Sequence, residues 1–159
     1  MELIMRKELE NRLYEVVPVF YSEKDLDVQE TCLCFGFECG NGWFEPLLDF
    51  SKEIARINEI AMKSHICFIA SQIKQKFSDI RVYWHTKSFS DMCDRIPDRE
   101  DAMRLYSMMN NAIDTLVLRC RNTCENCSAT HHIITTDGWI QRLCKKCAKR
   151  CSKNTSIQN

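Results

Sequence analysis

The chain is short of the features that mark the commonest functional classes. It holds only four glycines and three prolines in 159 residues, and none of them forms the GxxxxGK[ST] loop that cradles nucleotide phosphates. Its 22 basic side chains are matched by 22 acidic ones, so it lacks the strong basic excess of a dedicated polyanion binder. No apolar run approaches the roughly 20 residues that a helix needs to cross a bilayer. The first residues, MELIMRKELENRL, are charged and contain no apolar signal-peptide core. No internal repeat is present. What remains is an ordinary globular composition, 45% hydrophobic and 28% charged, in a chain long enough for one core plus a small stapled module.

Charge is unevenly spread. Residues 1–60 carry 6 basic and 13 acidic side chains, a net of −7, whereas residues 120–159 carry 7 and 2, a net of +5. Four thiolates on one zinc(II) would lower the tail to about +3. An acidic front steers a basic protein partner better than it steers a nucleic acid.

Cysteine is the abundant exception, with 11 residues. An odd count without a secretory leader points to a reducing cytoplasm, where thiols bind metal or sit in the core. Cys124 and Cys127 form one Cys-x-x-Cys pair and Cys144 and Cys147 another, with 16 residues between them. That spacing predicts one structural zinc per chain held by four thiolates, a closed coordination sphere with no position for a catalytic water. Cys120 and Cys151 are read as neighbours of the site, not ligands. Cys32, Cys34, Cys39, Cys67 and Cys93 are read mainly as core thiols. The one- and four-residue spacings among the first three do not make a standard knuckle, even with His65 or Cys67 nearby.

Periodicity predicts an amphipathic helix over 3–17 ended by Pro18, a polar loop over 22–31, and a strand and tight turn over 32–42. A helix follows over 43–61 with Pro46 in its first turn. A hairpin spans 66–84 with its turn near 76–79, then a polar connector over 86–97. A long helix starts at Asp98, a favoured capping residue. In HHIITTDGWIQRL, Asp137-Gly138 signals a two-residue hairpin turn between the cysteine pairs. The expected fold is α+β. A small antiparallel sheet packs on three main helices over residues 1–119, a zinc ribbon or knuckle module occupies 120–151, and a disordered tail occupies 152–159.

Other residues carry weaker chemistry. Lys74, Lys76, Arg81 and Lys87 interleave with Phe77, Tyr83 and Trp84, a pattern that suits either single-stranded nucleic acid or a solvated hairpin face. Arg142, Lys145, Lys146, Lys149 and Arg150 surround the second cysteine pair and suit phosphate or an acidic protein patch. Gly40-Asn41-Gly42 reads as a tight turn before a helix. Glu38 has no partner base placed by motif, so no acid–base pair can be built on it.

Three segments in order, FGFECGNGW (35–43), QIKQKFSDIRVY (72–83) and CENC…DGWIQRLCKKC (124–147), resemble a bacteriophage and prophage family. Its members carry FGFECGDGW-like and QVKEKFGxLRFY-like blocks and a CxxC…GW…LCxxC zinc module. Asn41 stands in place of an aspartate, and Ser78-Asp79 in place of a glycine-bearing turn. The resemblance implies a phage accessory protein in the cytoplasm of a bacterial host. It is similar to a zinc-binding anti-CRISPR protein that blocks a Cas9-type effector without enzymatic activity. A nucleic-acid-binding zinc finger is the alternative. A ββα-metal endonuclease using His131 and His132 is a further one, but Thr130 and Ala148 stand where its pattern wants an aspartate and an asparagine.

Overall fold

The computed structural model describes residues 4–88 and 98–155. The polar connector expected over 86–97, with Cys93, lies mostly outside the described residues, as do 156–159. Among the described residues no helix is long and apolar enough to cross a membrane.

The fold is α+β. Helix α1 (Lys7–Val16) leads through a turn at Ser22–Asp25 and another at Leu33–Phe35 into the short strand β1 (Phe37–Glu38). Helix α2 (Phe44–Met62) follows, then β2 (Ile66–Lys76), β3 (Asp79–Ser88) and α3 (Arg99–Arg121). Strands β4 (Ile133–Thr135) and β5 (Arg142–Cys144) and helix α4 (Lys145–Thr155) complete the chain. The main sheet has the order β1-β2-β3, with β2 and β3 antiparallel. The expected all-antiparallel sheet is corrected at one edge: β1 runs parallel to β2, with Phe37 opposite Ile73.

One face of this sheet and helices α1–α3 enclose the main core. Leu47, Ile54 and Ile57 of α2, Phe68 and Ile73 of β2, and Leu105, Met109 and Leu116 of α3 are buried together there. The apolar faces of α2 and α3 are the ones that meet. Two polar groups fix register inside the core. The Asn58 side chain accepts from the Phe68 amide at 2.8 Å and donates to its carbonyl at 3.1 Å, tying α2 to β2. Glu10 of α1 is fully buried, accepts from the Phe37 amide at 2.8 Å and pairs with Lys7 at 2.7 Å. These bonds satisfy groups whose burial would otherwise be costly.

Five local expectations need correction. Leu33–Phe35 is a helical turn rather than strand, leaving β1 two residues long. Asp98 precedes α3, but its side chain makes no capping hydrogen bond. Cys32 is exposed rather than in the core, while Cys39 and Cys67 are buried. The β4–β5 loop is longer than a two-residue turn, because pairing stops at Thr135 opposite Arg142. The Thr136 hydroxyl closes this loop, donating to the Trp139 carbonyl and accepting from the Gln141 amide. Helix α4 extends to Thr155, into the segment read as tail.

Candidate metal centre

The C-terminal module has almost no core of its own. Its buried apolar cluster is Leu143 with Cys124, Cys144 and Cys147, flanked by Ala129, Ile133, Ala148 and Cys151. Too little apolar area is buried there to order some 30 residues, so another source of cohesion is required.

The four predicted cysteines can supply it by holding a metal. Their Sγ atoms all lie within 4.8 Å of one another, and three of the four residues are buried, Cys127 being exposed. Cys124 and Cys127 sit on a knuckle that turns back at Ser128, whose φ is +63°. The knuckle is closed by Cys124 N–H donating to the Ala129 carbonyl at 2.7 Å and Ser128 N–H to the Cys124 carbonyl at 3.0 Å. Cys144 ends β5 and Cys147 lies in the first turn of α4. The second pair therefore sits at a strand-to-helix junction, not on the second knuckle of a ribbon.

The cage is arranged for anionic sulfur. The Cys147 amide points at Cys144 Sγ at 3.5 Å, and the Asn126 side-chain amide at Cys147 Sγ at 3.4 Å. The Cys147 amide draws the Cys144 thiol down to about 7. Burial pushes the Cys124 thiol up and that of Cys147 up to about 12. Four adjacent sulfurs cannot all ionise against one another; a cation at their centre removes the conflict. The site can hold a metal ion. Among the described residues no other group of His, Cys, Asp and Glu gathers in this way. Cys120 belongs instead to the main core, where burial raises its thiol pKa.

The cage is also bolted to the main domain. Glu125, inside the knuckle, is fully buried. Its Oε1 accepts from the Gly40 amide at 3.0 Å and its carbonyl from the Gly42 amide at 2.7 Å. Burial raises its carboxyl pKa to about 7, against the lowering effect of the Gly40 and Arg142 amides. The fully buried Trp43 donates its indole N–H to the Thr123 carbonyl at 3.0 Å. On the opposite side Arg142 reaches Ser78 Oγ at 3.2 Å and Asp79 at 3.7 Å. Asp79 is in turn held by both arms of Arg121, at 2.9 and 2.8 Å. The three sequence blocks at 35–43, 72–83 and 124–147 thus meet at one joint.

Sequence reading missed this joint. Gly40-Asn41-Gly42 was read as a tight turn before a helix, and Glu125 was given no role. The available signal was two glycines flanking one residue immediately before a buried tryptophan, a pattern of close backbone approach.

The remaining candidate residues fall in separate places. Lys74, Arg81 and Tyr83 share the outer face of the β2–β3 hairpin, with Lys74 Nζ 5.5 Å from the Tyr83 ring centre. Lys76 lies at the tip over Phe77. Trp84 is on the other face, packed against Phe68 and Tyr106. Arg142 is committed to the joint, while Lys145 and Lys146 are exposed on α4. His131 and His132 are exposed side by side. Comparison with family models, with curated proteins and with solved structures returns no match.

Proposed function

We propose that this chain is a zinc-stapled binding protein that blocks a larger, nucleic-acid-handling protein and has no enzymatic activity of its own. The observation that carries the reading is the joint. The four-thiol cage grips the main domain through Glu125, Trp43 and Arg142, so its metal fixes the shape of a surface. Zinc is the ion that suits the cage. A tetrahedral site with Zn–S bonds of about 2.3 Å places its sulfurs about 3.8 Å apart. Cys127 Sγ and Cys144 Sγ lie 3.7 Å apart. Four thiolates fill the coordination sphere and leave no place for an activated water, so Lewis-acid hydrolysis is not supported at this ion.

The partner class rests on the phage-family resemblance, which implies a bacterial defence nuclease of the Cas9 type. The acidic residues of the N-terminal part would complement the basic channels such enzymes use for nucleic acid. The block would act on nucleic-acid loading or on a conformational step, in the cytoplasm of a bacterial host.

A second reading, direct nucleic-acid binding, is favoured by one observation: Lys145, Lys146, Lys149 and Arg150 are all exposed on α4. One experiment separates the two. Tagged, zinc-loaded protein is used to capture partners from a bacterial lysate containing defence effectors, and the same preparation is titrated with duplex and single-stranded DNA. The blocking reading expects a captured nuclease whose cleavage is inhibited, with little affinity for DNA alone. Tight, steeply salt-dependent DNA binding near physiological ionic strength would overturn it.

A further inference from the structure

The turn joining β2 to β3 is built from the wrong residues for its shape. Phe77 has φ +52° and Ser78 φ +66°. A two-residue hairpin turn with both central residues left-handed normally uses Asn-Gly or Asp-Gly, because a side chain with a Cβ is strained there. A bulky residue in that region is an outlier. Packing does not compensate, since Phe77 is 69% exposed. A strained aromatic held out in solvent is a feature that folding alone does not explain.

The ring stands at one end of a groove. The groove, about 810 Å³, runs between the β3 side of the hairpin and α3. Leu118 of α3, 61% exposed, and Tyr83, 43% exposed, line it with Phe77. Four consecutive residues of β3, Ile80 to Tyr83, also line it. Because β3 is last in the sheet order, its outer edge has no strand partner among the described residues. Such an edge is a template for an added strand.

Charge selects the occupant. Lys76 and Arg81 line the groove and take part in none of the ion pairs among the described residues, whereas Arg121 is committed to Asp79. Asp114 is the single acidic residue among those lining the groove. The α3 wall, with Ile113, Val117 and Leu118, is aliphatic. It accepts apolar side chains, and the free β3 edge beside it offers backbone pairing that a peptide can use and a nucleic acid cannot.

We propose that this groove binds an extended acidic peptide of the partner protein. The peptide would pair with β3 as a fourth strand, place an apolar side chain against Phe77 and Leu118, and set a carboxylate near Arg81 and Lys76. This adds a second docking surface, beside the acidic N-terminal part, for the blocking activity and rests on that reading.

The test uses the full zinc-loaded chain as bait for a display library of short random peptides. Enriched sequences should alternate Asp or Glu with large apolar residues. Phe77→Asn tolerates the left-handed turn, so it should melt at the same or a higher temperature while losing at least about tenfold in peptide affinity, as an anchor residue does. Arg81→Glu should weaken the same peptides. The proposal is overturned if no peptide is enriched, or if enriched peptides lack acidic residues. It is also overturned if Phe77→Asn lowers the melting temperature while peptide affinity is kept. Competition by oligothymidylate would reassign the groove to single-stranded nucleic acid. Self-association abolished by Phe77→Asn would reassign it to a second copy of the chain. Peptide binding that behaves as expected while the lysate capture finds no nuclease would leave the groove standing and remove only the blocking reading.

Discussion

A Cβ added at Gly42 would lie 2.1 Å from the Cys124 carbonyl oxygen and 2.6 Å from the Glu125 carbonyl. One added at Gly40 would lie 2.4 Å from the Glu125 carbonyl oxygen. Both obstacles are backbone, so neither can swing aside as a flexible side chain could. The two glycines are therefore needed for close approach, and neither has a positive φ. Gly42→Ala should force the knuckle off the main domain at a cost of about 3 kcal/mol, at the upper end of overpacking effects. Urea unfolding measures it. Gly138→Ala is the contrasting substitution: nothing lies within 4 Å of the added atom, so its cost comes only from the φ of +74°. A Gly42→Ala penalty no larger than that of Gly138→Ala would show that the knuckle is not seated as described.

Elements differ in how openly the sequence declared them. Helices α2 and α3 were legible because their apolar stripes face a single core and their ends carry Pro46 and Asp98. The β2–β3 hairpin was legible from IRVYW and its neighbours. Strand β1 was not, because its two residues are held by parallel pairing to residues far along the chain, which local pattern does not encode. The gathering of Cys124, Cys127, Cys144 and Cys147 into a cage able to hold a metal was readable from spacing alone. The joint that uses them was not, because Glu125 and Asp79 act through partners distant in sequence. Asp79 shows how elements are coupled there. It begins β3, is gripped by Arg121 at the end of α3, and lies near Arg142 of β5. The Arg121 hydrogen bonds lower its carboxyl below the ordinary 3.8. The sign follows: a depressed acid contributes stability above its unfolded value and loses it as pH falls through the folded one. Asp79→Asn should cost about 1 kcal/mol at neutral pH, because Arg121 is half exposed and solvent screens the pair. The gap between wild type and variant should narrow as pH falls below 3.8 and close once pH is below the folded value. A gap that did not narrow at all on acidification in urea titrations would mean that the side chain acts by shape and not by charge.

On the scale of the whole molecule, a metal in the four-thiol cage would decide whether the chain is one cooperative unit or a core with a loose appendage. The main core runs from Met5 to Cys120 and includes none of the four ligands. The module's own cluster is a handful of residues that cannot pay the ordering entropy of its chain. Structural zinc supplies apparent binding energies of about 10–16 kcal/mol in small modules, which would be more than enough to hold this one closed under the proposed reading. The loaded protein should therefore unfold in a single transition, transmitted through Trp43, Glu125 and Arg142. Chelation should dissolve the module and leave the core folded but weaker. Helices α1, α2, α3 and α4 contain 10, 19, 23 and 11 residues, so losing α4 alone should remove about a sixth of the helical circular dichroism. Trp43 would lose its Thr123 partner and the cover of the knuckle, shifting its emission to the red. Cys124→Ser and Cys144→Ser should reproduce the chelated state without a chelator, and elemental analysis should find one zinc per wild-type chain. Chelation that left both signals unchanged would remove the staple from the account. Chelation that erased all helical signal would mean that the core borrows its stability from the module rather than lending it a foundation.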